Sequence, residues 1–88
     1  MPATAEVTVS NPQGMHLRPA TEFAKVVQAS GCAVTVTSGE AQANGGSVLE
    51  LAMMAAGQGT VLVITADGEN CERALAQLVE LVKNDFRR

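Results

Sequence analysis

The sequence predicts a single α+β domain, an antiparallel sheet with helices stacked on one face, on three observations. Apolar residues alternate with a period of two in some segments and recur every three to four residues in others, in the order strand, helix, strand, strand, helix, strand, helix. The chain of 88 residues is long enough for one hydrophobic core and too short for two, so residues 1–88 read as one domain. Gly, Pro, Asn and Asp stand between the periodic segments, where turns are needed.

Residues 5–9, AEVTV, put Val7 and Val9 on one face and Glu6 and Thr8 on the other, the pattern of a strand with one buried side. A loop with Asn11, Pro12 and Gly14 follows. From Leu17 the period becomes helical: Leu17, Ala20, Phe23, Ala24 and Val27 share a stripe, Arg18, Glu22 and Lys25 line another face, and Gly31 is the stop. Val34 and Val36 alternate with Thr35 and Thr37, and Ser38-Gly39 turns the chain into a short strand near Ala41 to Asn44, which makes a hairpin. SVLELAMMAAG, residues 47–57, fits two helical turns or a little more. TVLVITA, residues 60–66, is too apolar and β-branched for an edge and reads as an interior strand. From about Glu69 to Asp85, the residues Cys71, Ala74, Leu75, Leu78, Val79, Val82 and Phe86 recur at helical spacing in the longest amphipathic segment. Pattern alone leaves strand order open, and a ferredoxin-like split β-α-β arrangement gives nearly the same string.

Composition excludes several functions. The formal net charge is −3, and Trp and Tyr are absent, so neither the clustered cations nor the stacking rings of a nucleic-acid binder are present. No apolar run approaches the roughly 18 residues of a membrane span, and MPATAEVTVS lacks the basic and apolar regions of a signal peptide. The expectation is a cytoplasmic protein that does not insert into a membrane. Cys32 and Cys71 are far apart in sequence and only one His is available, so no zinc site is expected and the cysteines read as reduced, partly buried thiols.

That one histidine carries the chemistry. In GMHLRPATEF, residues 14–23, His16 falls where the loop becomes helix, and Pro19 lies in the first turn, where a missing N–H is harmless. The backbone N–H groups of Leu17 and Arg18 then point beside the imidazole with the positive end of the helix dipole, a corner that attracts anions. Arg18 adds a planar fork suited to phosphate oxygens. Imidazole is a nucleophile near neutral pH, and a phosphoryl group placed on it would meet donors already aimed at its oxygens. The plainer alternative is a surface histidine at a helix start, a position that Ser, Asp or Asn would cap better.

The stretch NPQGMHLRPA, residues 11–20, closely resembles the active-site signature of the HPr family, the histidine-containing phosphocarriers of the bacterial phosphoenolpyruvate-dependent phosphotransferase system. The likeness extends over nearly the whole chain, through the hairpin, the ANGGS lead into the second helix, the strand ending TADG and the last helix. It implies an open-faced sandwich of four antiparallel strands with three helices on one side. It also implies that His16 takes a phosphoryl group on Nδ1 from the autophosphorylating first enzyme of the system, with Arg18 assisting, and passes it to a sugar-specific or regulatory IIA domain. The protein would then be a carrier needing no cofactor or metal, not an enzyme with its own small substrate, and a monomer is expected.

Family likeness places the partner surface on the first helix, the second helix and the loop after it. Here Leu17, Arg18, Thr21 and Lys25, with Val48, Leu49 and Ala52, would supply it, and Arg18 and Lys25, seven residues apart, share nearly one azimuth. Ser47 aligns with the serine that a dedicated kinase phosphorylates, and a phosphorylase relieves, in relatives under carbon-catabolite control. Those relatives often carry Ile-Met-Gly after it; this chain has Val48-Leu49-Glu50, so S-V-L-E has capping-box spacing, and Glu50 would repel a phosphoserine. Capping is the favoured role of Ser47. Leu17 stands where the family commonly has Ala, and SVLELAMM is nearer in character to the nitrogen-related branch. Two other classes stay in view: an interaction module controlled through Ser47, and a small hydrolase, which lacks a second acid-base group within the motif.

Overall fold

The computed structural model describes residues 2–87. Its elements are β1 (Ala3–Thr8), α1 (Leu17–Ser30), β2 (Ala33–Ser38), β3 (Ala41–Asn44), α2 (Val48–Met53), β4 (Val61–Asp67) and α3 (Cys71–Lys83), the order expected from the periods. The four strands pair antiparallel in the order β1-β4-β2-β3. β4 is thus interior, as its composition requires, and β3 closes the far edge. The pairing of β1 with β4 runs on beyond Thr8, since Val9 donates to Thr60 O at 2.9 Å and accepts from Gly59 N–H at 2.8 Å.

One face of the sheet carries Val7, Val34, Val36, Leu62, Ile64 and Ala66 under the helices, and the core is completed by Phe23, Leu51, Leu78 and Val82, all of them buried. No polar or charged residue is fully buried among the described residues. The other face is open and threonine-rich, with Thr4 and Thr65 hydroxyls 3.3 Å apart across β1 and β4. Period-two strands and helical stripes meet in a single aliphatic layer, as binary patterning demands.

The helices at the C-terminal side of the motif are shorter than their sequence stripes. α2 stops at Met53, and Ala55 takes a left-handed φ of 53°, so residues 54–57 lead away as a loop. α3 begins after Asn70 in the left-handed region and ends at Lys83, and Asp85 and Phe86 are left-handed at φ 57° and 63°. Phe86 is buried nonetheless, because this turn folds it back and its N–H donates to Leu81 O at 2.7 Å.

The cysteines correct an expectation. Cys32 and Cys71 form a disulfide, with Cα atoms 6.0 Å apart across 39 residues of sequence, so they are not reduced thiols. The register explains the encounter: Ala33 pairs with Asp67, so the residue before β2 and the first residue of α3 meet at one corner. Sequence spacing cannot display a contact that only sheet register creates.

Candidate functional site

The loop before α1 is tied down residue by residue. Gly14 has a φ of 69°, and a Cβ there would lie 2.7 Å from the Cα of Gly57 and run into the carbonyl of Ala56. Only glycine satisfies both demands. Asn11 accepts from the Gly14 N–H through its carbonyl at 3.1 Å, and its Nδ2 donates to Gly14 O at 2.8 Å. The buried Asn11 Oδ1 has no hydrogen-bond partner among the described residues. Met15, buried, donates its N–H to Ala56 O at 2.7 Å, which fixes the loop after α2 against the start of α1.

His16 follows as the extended N-cap residue of α1, at φ −126° and ψ −166°, and its side chain makes no capping bond. Its carbonyl accepts the first helical bond, from Ala20 N–H at 2.9 Å. The N–H groups of Leu17 and Arg18 come before that bond and take no protein partner among the described residues, and Pro19 has none to offer. Among the described residues the imidazole therefore stands without a hydrogen-bond partner, beside two free donors. It borders an open depression of about 740 Å³ that Arg18, Glu22, Asp85 and Arg87 also line.

Other predicted residues divide into two groups. Leu17 and Leu49 are 65% and 68% exposed, unusually so for large apolar side chains. Val48 and Ala52 instead pack partly against the core, and Thr21 Oγ1 donates back to Leu17 O at 2.7 Å. Lys25 is exposed and bonds Glu22 at 3.3 Å. Ser47 is the N-cap of α2, its hydroxyl accepting from Glu50 N–H at 3.2 Å. The returning half of the expected capping box goes elsewhere: Glu50 Oε1 accepts from Asn44 N–H at 2.9 Å, while Ser47 N–H donates to Asn44 O at 3.0 Å.

Sequence reasoning missed the wall built from the far end of the chain. Asp85 and Arg87 reach the His16 depression because the left-handed turn at Asp85 and Phe86 folds the chain back after α3 and is pinned there: Ser10 Oγ donates to Asp85 Oδ1 at 2.6 Å. It also missed Met53, which at 73% is the most exposed large apolar side chain among the described residues. The available signal was an apolar run, Val48, Leu49, Leu51, Ala52 and Met53, too continuous for one face of so short a helix to bury. No cluster of three or more His, Cys, Asp or Glu suited to a metal is present among the described residues.

A sandwich that leaves its one imidazole uncapped and reachable, at a cationic helix start, defines a class: the small protein phosphocarriers. The comparisons with known proteins fall in that class. The family profile described as "PTS HPr component phosphorylation site" matches residues 3–84. Phosphocarrier protein HPr of Haemophilus influenzae is 43% identical over 77 residues, 88% of each chain, and phosphocarrier protein NPr of Shewanella violacea is 32% identical over 81 residues, 92% of this chain and 89% of that one. The crystal structure of HPr-C-His from Thermoanaerobacter tengcongensis superposes with a TM-score of 0.89 at 25% identity, covering 96% of this chain and 94% of that one. The chain belongs to the PTS-HPr family, and is an HPr- or NPr-type phosphocarrier of the phosphotransferase system, a carrier that works with the enzymes of that system. Among the described residues no helix is long and apolar enough to cross a membrane.

Proposed function

We propose that His16 is the residue that carries the phosphoryl group, received on Nδ1 from the phosphoenolpyruvate-dependent first enzyme and delivered to a IIA domain. The observation that carries this reading is the imidazole at the start of α1, uncapped, beside the free N–H groups of Leu17 and Arg18. In the forward step the Nδ1 lone pair forms the N–P bond while the donor's bond to phosphorus breaks, its electron pair leaving with the donor. Delivery is the reverse, with His16 as leaving group. The backbone donors and the Arg18 guanidinium stabilise charge on the three phosphoryl oxygens in both directions, so the chemistry rests on positioning rather than on a proton relay.

Partners dock on the surface formed by α1 and α2. Leu17, Leu49 and Met53 offer exposed apolar contacts, and Arg18 and Lys25 meet acidic groups. The accepting IIA domain belongs to the sugar or the nitrogen-related branch, since HPr relatives at 30% to 43% identity bracket NPr at 32%. Control through Ser47 is the weaker reading, because its hydroxyl is already engaged as the cap of α2 and Glu50 stands beside it. The carrier acts as a cytoplasmic monomer of one domain.

The test is intact-mass spectrometry after mixing the protein with phosphoenolpyruvate and a purified first enzyme. Wild type should gain one acid-labile phosphate and His16→Ala none; uptake by His16→Ala would end the assignment. Steady release of inorganic phosphate by the isolated protein would instead favour a hydrolase.

A further inference from the structure

We propose that Arg87 is a second phosphoryl-binding residue, its guanidinium acting with that of Arg18 on the oxygens of the group that His16 carries. The inference rests on the reading of His16 as the acceptor. Arg87 lines the same depression as His16 and Arg18 although 69 residues separate it from Arg18 in sequence. The turn that carries it is held at three points: Phe86 N–H to Leu81 O at 2.7 Å, Arg87 N–H to Asn84 O at 3.1 Å, and the Ser10 hydroxyl to Asp85 Oδ1 at 2.6 Å. The buried Phe86 side chain anchors the turn from below.

Charge favours a second guanidinium. A phosphoryl group brings a charge of about −2 at neutral pH. Of the two rim carboxylates, Glu22 is paired with Lys25 and Asp85 offsets one cation, so Arg18 alone leaves no net positive charge to meet the group. With Arg87 the rim is cationic, and two planar forks are available to three acceptor oxygens. Arg87 is also uncommitted, since the one ion pair among the described residues joins Lys25 to Glu22. Arg87 also borders a neighbouring groove that holds Glu80 and Arg73, so the competing arrangement is a guanidinium turned toward Glu80.

The experiment uses the full chain phosphorylated chemically with phosphoramidate, a small phosphoryl donor that needs no partner protein. The imidazole nitrogen takes the phosphoryl group and ammonia leaves, and only one histidine is present to react. A titration followed by ³¹P NMR then reads the second ionisation of the phosphoryl group in wild type, Arg87→Ala, Arg87→Lys and Arg18→Ala. Loss of one partly exposed cation should raise the proton affinity of the phosphoryl group about threefold in Arg87→Ala, with most of the change restored in Arg87→Lys. An Arg87→Ala titration identical to wild type, beside a shifted Arg18→Ala, overturns the proposal. So does an effect of Arg87→Ala confined to transfer to a IIA domain, which would make it a docking residue. Failure of wild type to take phosphate from either phosphoramidate or the first enzyme would remove the His16 reading itself, and Arg87 with it.

Discussion

α1 and α2 lie side by side and begin in opposite ways. At α2 the cap residue is Ser47, whose hydroxyl accepts the Glu50 N–H, and the Glu50 carboxylate is itself used by Asn44. At α1 the cap residue is His16, whose side chain makes no such bond, and two N–H groups are left without protein partners among the described residues. The short helix, six residues long, needs its cap; the fourteen-residue helix, secured by Phe23, Ala24 and Val27 in the core, can do without. Local stability is given up where, on the proposed function, the free donors hold the phosphoryl group.

The largest effect that would break this contrast is expected at Gly14. Gly14→Ala must place a Cβ against Ala56 and Gly57 at a φ of 69°, which combines left-handed strain with overpacking. Urea unfolding should show a loss of about 3 to 5 kcal/mol. Displacement of the α1 start should also slow phosphate uptake at His16 in whatever fraction stays folded, whereas a merely destabilised loop would leave uptake per folded molecule unchanged.

Next is the disulfide, at the end of the molecule where α1 finishes. Cys32 follows the left-handed Gly31 that closes α1, so the helix is tied at one end and open at the other. Reduction, or Cys32→Ser with Cys71→Ser, removes a link closing a 39-residue separation and should lower stability by about 2 to 4 kcal/mol. Phosphate uptake by His16 should be unaffected. A change in uptake would mean that the two ends of α1 are coupled.

A smaller effect is expected at the cap of α2. Ser47→Ala strands the Glu50 N–H and should cost about 1 kcal/mol by thermal or urea unfolding, with uptake at His16 unchanged. An aspartate at position 47 should recover most of that stability, because a carboxylate can cap in place of the hydroxyl. Recovery with normal uptake would confirm that this serine serves the helix.

How far these two helix starts could be read from the residues differs in the same way. Short-range signals were legible: the switch of period at Leu17, the S-x-x-E spacing at Ser47, the glycine and proline around His16, and the β-branched run of β4 all report on bonds between residues close in sequence. The family likeness carried the fold further than pattern could, giving the number of layers. Contacts set by register or by a turn after a helix were hidden. The Cys32–Cys71 link depends on Ala33 meeting Asp67, and the Asp85 and Arg87 wall depends on two left-handed residues that fold the chain back after α3. Neither leaves a periodic trace. The carboxylate of Glu50 shows the same limit at short range, since spacing named a partner in Ser47 but the hairpin end supplied Asn44 instead.

The smallest effect is also the one that sharpens the contrast most. His16→Asn places at the start of α1 a side chain that caps well, with an oxygen able to accept from the third helical turn position or its neighbour. Pro19 occupies one of those positions and has no N–H, so the oxygen must use Arg18 N–H, which is free. The gain should therefore be modest, about 0.5 kcal/mol by urea unfolding, while uptake of phosphate from the first enzyme falls to nothing. A variant more stable than wild type would show that the imidazole leaves the α1 start uncapped at a cost in stability; the loss of uptake follows from the missing nucleophile alone. A variant less stable than wild type would mean that the imidazole itself supports the α1 start, through packing rather than through a bond, and the contrast with α2 would then be one of means and not of purpose.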